Sequence, residues 1–363
     1  MSIGLASGMW GDAVIWAIPL AALVAVFNGL SSAFLAGRFP VAGGTYEYGY
    51  RAINQWFGFT AGWLFLLAKT ASAASAALGV ALYLGTDSPL VPITAAVGVT
   101  LLVAAGIRRT AAANAILITL TIAAISWFAV AGLTGFGPDI AVAIEVTNGS
   151  VLAAVAFIFV AYTGYGRIAT LGEEVKEPAV TIPKAVIVTL AVAATLYMAI
   201  EVGGRAMAGP GWGSVLEMGF LDMPFVTIGA ITAMLGVLLN LVLGLSRVWL
   251  AMGRRKDMPF RLSGLGRTGQ PTVAIILSGS LIAVVTLIGD ISLAWSFSAM
   301  TVLLYYGITN LAALSVDRRR LTSWAGLGSC LFLSFFVPLT IWLVGFGLIS
   351  VGLLWKTAYS RGL

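Results

Sequence analysis

The chain has 363 residues, of which 60% are hydrophobic and 9% are charged, and its net charge is +6. Because an ordinary soluble domain has about 25% charged residues, this composition excludes a soluble enzyme, a nucleic-acid-binding module, a secreted disulfide scaffold and a disordered tail. At roughly 20 residues for each membrane-spanning helix and about 10 for each connection, the chain has room for about a dozen spans, and it predicts an all-α polytopic membrane protein.

Apolar stretches separated by turn residues and charges predict eleven membrane-spanning helices. In chain order, their predicted extents are 12–37, 55–85, 89–107, 111–135, 149–172, 184–206, 224–252, 271–289, 291–315, 322–337 and 339–357. Two of the divisions rest on turn residues, because Gly289 and Asp290 separate two spans by a tight turn and Pro338 divides a long apolar run.

The connections between the predicted spans alternate in charge. One set contains most of the basic residues, among them Arg108, Arg109 and Arg255, whereas the opposite set contains Arg205 and several acids such as Asp87. Since basic residues accumulate in the cytoplasmic loops of membrane proteins, the first set is predicted to be cytoplasmic. The sequence therefore predicts a multi-pass protein of the cytoplasmic membrane with its C-terminus inside the cell.

The residue inventory restricts the chemistry further. The chain has no histidine, and its single cysteine, Cys330, lies in an apolar run, so neither an imidazole base nor a cysteine-based metal site is available. Residues 264–269 fit the pattern Gly-x-Gly-x-x-Gly, but they follow no predicted strand, and no Walker motif occurs. We therefore expect no enzyme activity, no catalytic or metal-binding residues, no cofactor and no nucleic-acid partner.

The fifth predicted span contains a polar interruption. Its apolar part meets the sequence Thr163-Gly164-Tyr165-Gly166 near the middle of the membrane, and Arg167 follows directly. Glycines and a charge at this depth are costly unless the helix is broken and its backbone faces a cavity. A broken helix offers free carbonyls and helix-end dipoles, which suit a small zwitterion or an ion. The alternative is a glycine kink that serves close helix packing.

Three segments resemble bacterial amino-acid permeases of the amino acid–polyamine–organocation superfamily. Residues 38–46 match the pattern Arg-Phe-Pro-x-Ala-Gly-Gly-x-Tyr that precedes the third helix of that family. Residues 162–178 match its sixth-helix pattern, Phe-x-Gly-Phe/Tyr followed by Glu-Glu-x-x-x-Pro, with tyrosine in the first place. Residues 246–254 resemble the inner end of its eighth helix. The motifs occur in the family's order along essentially the whole chain.

The resemblance implies the inverted-repeat transporter fold of that family, with two five-helix repeats, two further helices and alternating access around a central site. Residues 1–363 would form one transmembrane domain, with the remainder of the first repeat at 1–135, the second repeat at 149–315 and the two additional helices at 322–357. The family's first helix has no counterpart in the sequence, so we expect a truncated or wrongly assigned start and about eleven spans.

The function that the resemblance implies is secondary active transport of amino acids or related organic amines, by symport or antiport. The absence of the first family helix favours an alternative, which is a transport-incompetent membrane sensor or scaffold derived from such a permease. Beyond a small-molecule amino acid or amine and the lipid bilayer, the sequence names no partner, and it specifies no oligomeric state.

The resemblance also implies where the substrate binds. In that family, the broken first and sixth helices hold the substrate through backbone amides and carbonyls. At the matching positions of the sixth helix, this chain has Val160, Ala161, Tyr162, Thr163 and Gly164. Tyr162 would line or gate the site, with an ordinary buried aromatic residue as the alternative. No acidic residue is placed in the pocket by the sequence, which favours a neutral substrate over a cationic one.

Two residues are candidates for ion coupling. Lys69 lies midway along the second predicted span, too deep to reach the interface easily, so we expect it to titrate or pair during coupling to a cation gradient. A fixed structural lysine is the alternative. Proton-coupled members of the family often have a lysine in the fifth family helix, whereas the corresponding position here is Thr121, whose hydroxyl suits Na⁺. H⁺ coupling, Na⁺ coupling, exchange and uniport therefore stay open.

Charged residues after the interruption are candidates for an inner gate. Glu173 and Glu174 could engage basic cytoplasmic loops, and Arg167 could pair with these acids. The alternatives are a soluble helix terminus for the acids and, for Arg167, a side chain that extends to the membrane surface.

Overall fold

The structure is a computed structural model that describes residues 1–40, 43–134, 150–166, 175, 177–208, 212, 224–266 and 269–361. In these ranges the regular elements are helices. The α-helices are α1 (Ser2–Trp10), α2 (Ala13–Arg38), α3 (Thr45–Ala52), α4 (Gln55–Tyr83), α5 (Leu90–Ala104), α6 (Ile107–Thr134), α7 (Val151–Tyr162), α8 (Pro178–Ala208), α9 (Pro224–Arg254), α10 (Thr272–Thr286), α11 (Ile291–Val316), α12 (Leu321–Ser334) and α13 (Leu339–Arg361). Two 3₁₀ helices cover Thr163–Tyr165 and Phe260–Ser263.

The helices confirm the prediction of an all-α polytopic membrane protein. Seven of the described helices, with 21 to 31 residues each, are long and apolar enough to cross a bilayer by themselves: α2, α4, α6, α8, α9, α11 and α13. The shorter apolar helices α5, α7, α10 and α12 occupy the remaining four predicted spans. Each of the eleven predicted spans therefore has a helix at its place in the chain.

Both predicted divisions between adjacent spans are present. Gly289 has a φ of +73°, which favours glycine, and the side chain of Asp290 accepts a hydrogen bond from the backbone N–H of Leu293 at 2.8 Å. This capped turn lets α11 begin directly after α10. Similarly, α12 ends at Ser334 and α13 begins at Leu339, the residue after Pro338.

Two short helices were not predicted from hydropathy. Helix α1 precedes the first predicted span, and helix α3 lies in the connection between α2 and α4. The glycine pair before α3 has a conformational reason, because Gly43 and Gly44 have φ values of +117° and +56°. The pair turns the chain sharply into α3, which places Tyr46 and Glu47 in the protein interior.

The helices of the two predicted repeats pack in corresponding pairs. Helix α1 contacts α7, α2 contacts α8, α4 contacts α9, and α5 contacts α10. The last three pairs join helices that would hold the same place in the two repeats, as expected for repeats related by a two-fold axis in the membrane plane. The division into repeats at 1–135 and 149–315 stays a prediction.

Two helices form the centre of the described bundle. The most apolar windows of α4 and α11 are 83% and 78% buried, whereas those of α6, α8 and α13 are about one-fifth buried. Large apolar side chains on these outer helices are exposed, as is usual for surfaces that face lipid. Any polar group in the middle of α4 therefore lies deep in the protein.

Candidate functional site

Helix α7 ends inside the bundle, at the residues where the sequence predicts an interruption. Regular α-helix stops at Tyr162, and a 3₁₀ turn covers Thr163–Tyr165. The last carbonyls of an α-helix lack partners within the helix, so other groups must bind them. The Val160 carbonyl accepts the backbone N–H of Thr163 and, at 2.7 Å, its hydroxyl, and the Ala161 carbonyl accepts the Tyr197 hydroxyl at 2.9 Å.

Open space borders this 3₁₀ turn on one side. Gly164 is exposed, and a Cβ atom added to it would meet no atom within 4 Å. Its neighbours Val160, Tyr162 and Thr163 are almost fully buried. The turn therefore presents its backbone to the space at Gly164, while the side chains around it fix the turn to the neighbouring helices.

The ammonium group of Lys69 reaches the turn from the middle of α4. Its Nζ atom donates a hydrogen bond to the hydroxyl oxygen of Thr163 at 2.9 Å, and the lysine is only 8% exposed. The Thr163 hydroxyl in turn donates to the Val160 carbonyl. The structure thus brings together a predicted coupling residue, Lys69, and two predicted substrate-binding residues, Thr163 and Val160.

Tyr162 fastens the end of α7 to two other helices. Its hydroxyl donates to the carbonyl of Ile18 in α2 at 3.2 Å, and its ring packs edge-on against Tyr197 of α8 with 5.0 Å between the ring centroids. The side chain is 2% exposed. In this arrangement Tyr162 contributes packing at the site, and its role as a gate stays a prediction.

Two site residues escaped the sequence analysis. Tyr197 of α8 binds the Ala161 carbonyl, and Trp295 of α11 donates from its indole N–H to the Phe157 carbonyl at 2.9 Å. Both satisfy backbone carbonyls in the last turns of α7 from helices far away in the chain. No local pattern in the sequence marks either residue, because aromatic residues are frequent along the predicted spans.

Thr121, the other predicted coupling residue, lies elsewhere in the bundle. Its hydroxyl donates to the Leu117 carbonyl at 2.7 Å and lies 3.3 Å from the hydroxyl of Thr232 in α9. Asn114 and Asn240 make a second polar contact between the same two helices, with 2.7 Å between the amide nitrogen and oxygen. The described contacts of Thr121 therefore join α6 to α9 and include no residue of α4 or α7.

A buried polar cluster lies at the predicted cytoplasmic end of the bundle. The carboxylate of Asp257 accepts the Tyr46 hydroxyl at 2.7 Å and the Tyr50 hydroxyl at 2.5 Å, and it forms an ion pair with Lys356 of α13. Burial, together with the charge of Asp257, raises the pKa of both tyrosines well above the usual value, so both hydroxyls stay protonated. This cluster, which we call the Asp257 cluster, ties α3 to α13.

A second ion pair supports the same end. Arg255 donates to both carboxylate oxygens of Glu47 in α3, at 2.7 and 2.5 Å, and Arg51 contacts the same carboxylate at 3.4 Å. The hydrogen bond from Arg255 to Glu47 raises the pKa of the guanidinium group. The predicted gate residues Arg167, Glu173 and Glu174 lie outside the described residues, so their role stays a prediction.

Comparison with known proteins identifies relatives along nearly the whole chain. The amino acid permease family matches residues 1–208 and 222–360. An uncharacterized transporter of Mycobacterium tuberculosis is 34% identical over 362 residues, which cover 94% of this chain and 82% of that protein. The branched-chain amino acid permease BcaP of Bacillus subtilis is 27% identical, covering 67% of this chain and 60% of that protein. A vacuolar cationic amino acid transporter of Arabidopsis thaliana is 25% identical, covering 78% of this chain and 54% of that protein. These relatives have the names of transporters rather than enzymes.

Proposed function

Because the chain belongs to the amino acid permease family, we propose that it moves amino acids or related organic amines across the cytoplasmic membrane by alternating access. The observation that supports this most directly is the end of α7 within the bundle. There α7 gives way to a 3₁₀ turn beside open space at Gly164, and the Ala161 carbonyl accepts a hydrogen bond from Tyr197 of another helix. Interrupted helices of this kind offer backbone dipoles to a small charged solute.

In the proposed mechanism, the residues 160–164 bind the substrate and Lys69 couples its movement to a cation gradient. The Lys69 ammonium and the Thr163 hydroxyl are in hydrogen-bond contact, so a change in the charge of the lysine acts directly on the turn. Thr121 provides the rival coupling site, for Na⁺, between α6 and α9. H⁺ and Na⁺ are therefore the two coupling ions to be compared.

Uptake into proteoliposomes tests the proposal. Purified protein is reconstituted, and the entry of labelled amino acids of each charge class is followed under an imposed pH or Na⁺ gradient and compared with protein-free vesicles. We expect uptake of at least one class, above the protein-free level and dependent on a gradient. Binding of amino acids without movement would instead support the sensor or scaffold that the sequence analysis named as the alternative.

A matched pair of glycine variants makes the test specific to the site. Gly164→Leu places a side chain in the open space beside the turn and is expected to abolish uptake without loss of thermal stability. Gly98 on α5 also has no atom within 4 Å of an added Cβ, and its surface is exposed, so Gly98→Leu is the control and is expected to transport normally. Normal uptake by Gly164→Leu would remove the substrate site from this turn.

The proposed orientation has the C-terminus in the cytoplasm. The basic residues near Arg255, Arg319 and Lys356 support this orientation, because cytoplasmic loops are rich in lysine and arginine. In bacterial cells, a C-terminal fusion to green fluorescent protein is expected to fluoresce, whereas a C-terminal fusion to alkaline phosphatase is expected to be inactive. The opposite pair of results would reverse the orientation.

A further inference from the structure

Five charged residues are buried in the described structure, and all but one of them have an ion-pair partner. Four of the five lie in ion pairs: Glu47 with Arg255, Glu201 with Arg205, and Asp257 with Lys356. The fifth is Lys69, whose hydrogen-bond partner in the described part of the chain is the neutral hydroxyl of Thr163. A buried cation is stable only when it is compensated, and the described residues around Lys69 do not supply the counter-charge that the other four have.

Lys69 has donors that its described partner does not use. An ammonium group has three N–H donors, and one of them binds Thr163, the residue before Gly164. Gly164 borders open space without any side chain. A solute in that space would lie beside the turn that Lys69 contacts, and Thr163 is the only hydrogen-bond acceptor of that charge among the described residues.

The chemistry of a buried ammonium group indicates which kind of ligand it would bind. An ammonium group in a buried site binds a carboxylate more strongly than it binds a neutral oxygen, because both partners are charged and water is excluded. The same charge repels a cationic side chain. The buried carboxylates of the described structure, those of Glu47, Glu201 and Asp257, already have cationic partners.

We propose that Lys69 is the specificity-determining residue of the site and that it pairs with a carboxylate of the substrate. This inference rests on the proposed transport function. It identifies the substrate class as neutral or acidic amino acids, in preference to organic amines without a carboxylate and to amino acids with a cationic side chain. The carboxylate belongs either to the amino acid backbone or to an acidic side chain, and the two sources give different results in one assay.

The assay measures two ratios of initial uptake rates in proteoliposomes. The ratio of glutamate to glutamine uptake reports a contact with the side-chain carboxylate. The ratio of glutamine to its decarboxylated analogue, 4-aminobutanamide, reports a contact with the backbone carboxylate. At least one ratio is expected to exceed about tenfold for the unmodified protein, since a buried charge left without its partner weakens binding by at least that factor.

Substitutions of Lys69 separate this role from a structural one. Lys69→Gln is expected to reduce the raised ratio at least about tenfold, whereas Lys69→Arg keeps the charge and is expected to keep the ratio above one. Arg109→Gln, which removes an exposed positive charge at the start of α6, is the matched control and is expected to change neither ratio. If Lys69→Gln fails to fold, both ratios can still be measured with Lys69→Arg. They can also be obtained for the unmodified protein by using unlabelled glutamate and 4-aminobutanamide as competitors of uptake.

Two results would overturn the inference. The first is a functional Lys69→Gln protein in which both ratios equal those of the unmodified protein. The second is an unmodified protein that transports amino acids with both ratios near one, which would show that no carboxylate of the substrate is recognised. Failure of the proposed function has a different signature, namely no uptake of any amino acid by the unmodified protein.

Discussion

Lys69 and Val160 share one hydroxyl group, that of Thr163. The oxygen of this hydroxyl accepts the lysine N–H, and its hydrogen is donated to the Val160 carbonyl. A single side chain of three heavy atoms therefore links a charge in α4 to the last turn of α7. At the scale of residues, this link is the part of the site that mutation can test most directly.

Thr163→Val is expected to reduce amino acid uptake by about tenfold or more. The substitution keeps the shape of the side chain but leaves a buried ammonium without its described acceptor, which costs about 1–3 kcal/mol. Initial uptake rates in proteoliposomes measure the effect. Thr163→Ser keeps the hydroxyl and is the control, and it is expected to retain most of the rate. Equal rates for the valine and serine variants would show that the hydroxyl has no part in transport.

Asp257→Asn is expected to lower the stability of the purified protein by about 3 kcal/mol. Lys356 would lose its counter-charge in a buried position, and two tyrosine hydroxyls would lose a charged acceptor. Thermal unfolding in detergent measures the loss. Adding Lys356→Met to Asp257→Asn removes the unpaired charge and is expected to recover part of the stability. This account would be contradicted if the double variant lost more stability than the two single variants lose together.

At the scale of elements, the spans could be predicted from sequence and the site could not. Hydropathy is a local property, so each of the eleven predicted spans has a helix in the structure. The turn at Thr163 was also predictable, because its two glycines, Gly164 and Gly166, lie only two positions apart in the sequence. The bond between Lys69 and Thr163 joins residues 94 positions apart, and no periodicity reports which faces of α4 and α7 meet. Helix α3 escaped prediction because it is short and polar.

Close packing of α6 and α8 depends on two glycines. A Cβ atom on Gly132 would lie 2.6 Å from the backbone of Gly203, which is too close for any side chain. Gly132→Ala is therefore expected to lower stability by about 1–3 kcal/mol, measured by thermal unfolding in detergent. Gly236→Ala is the control, because the added Cβ would contact Leu117 at an ordinary 3.7 Å. Equal melting temperatures for Gly132→Ala and Gly236→Ala would show that α6 and α8 can move apart without a loss of stability.

At the scale of the whole molecule, coupling and substrate binding meet at one place. Lys69 belongs to α4, the most buried of the long helices, and contacts the end of α7, whereas Thr121 binds residues of α6 and α9. This arrangement favours Lys69 over Thr121 as the residue through which a cation gradient acts on the substrate.

Lys69→Met is accordingly expected to lose the stimulation of uptake by an inward pH gradient. The variant lacks the ammonium group of Lys69 at the turn, so a proton gradient can no longer act through that group. Uptake with and without the gradient measures the stimulation, and Thr121→Val is expected to keep it. A Lys69→Met protein with full pH-dependent uptake would exclude the lysine from coupling, and loss of Na⁺ dependence in Thr121→Val would assign coupling to Na⁺.

The hydrogen bond from Tyr197 to the Ala161 carbonyl has a consequence for how a solute enters. The tyrosine hydroxyl already occupies one of the two lone pairs of the acceptor that an amino group would seek. An arriving ammonium group would therefore share this carbonyl with the tyrosine or displace it. Displacement would exchange a hydrogen bond from a phenol for a stronger one from a charged donor, which gives an ammonium group an advantage over a neutral solute.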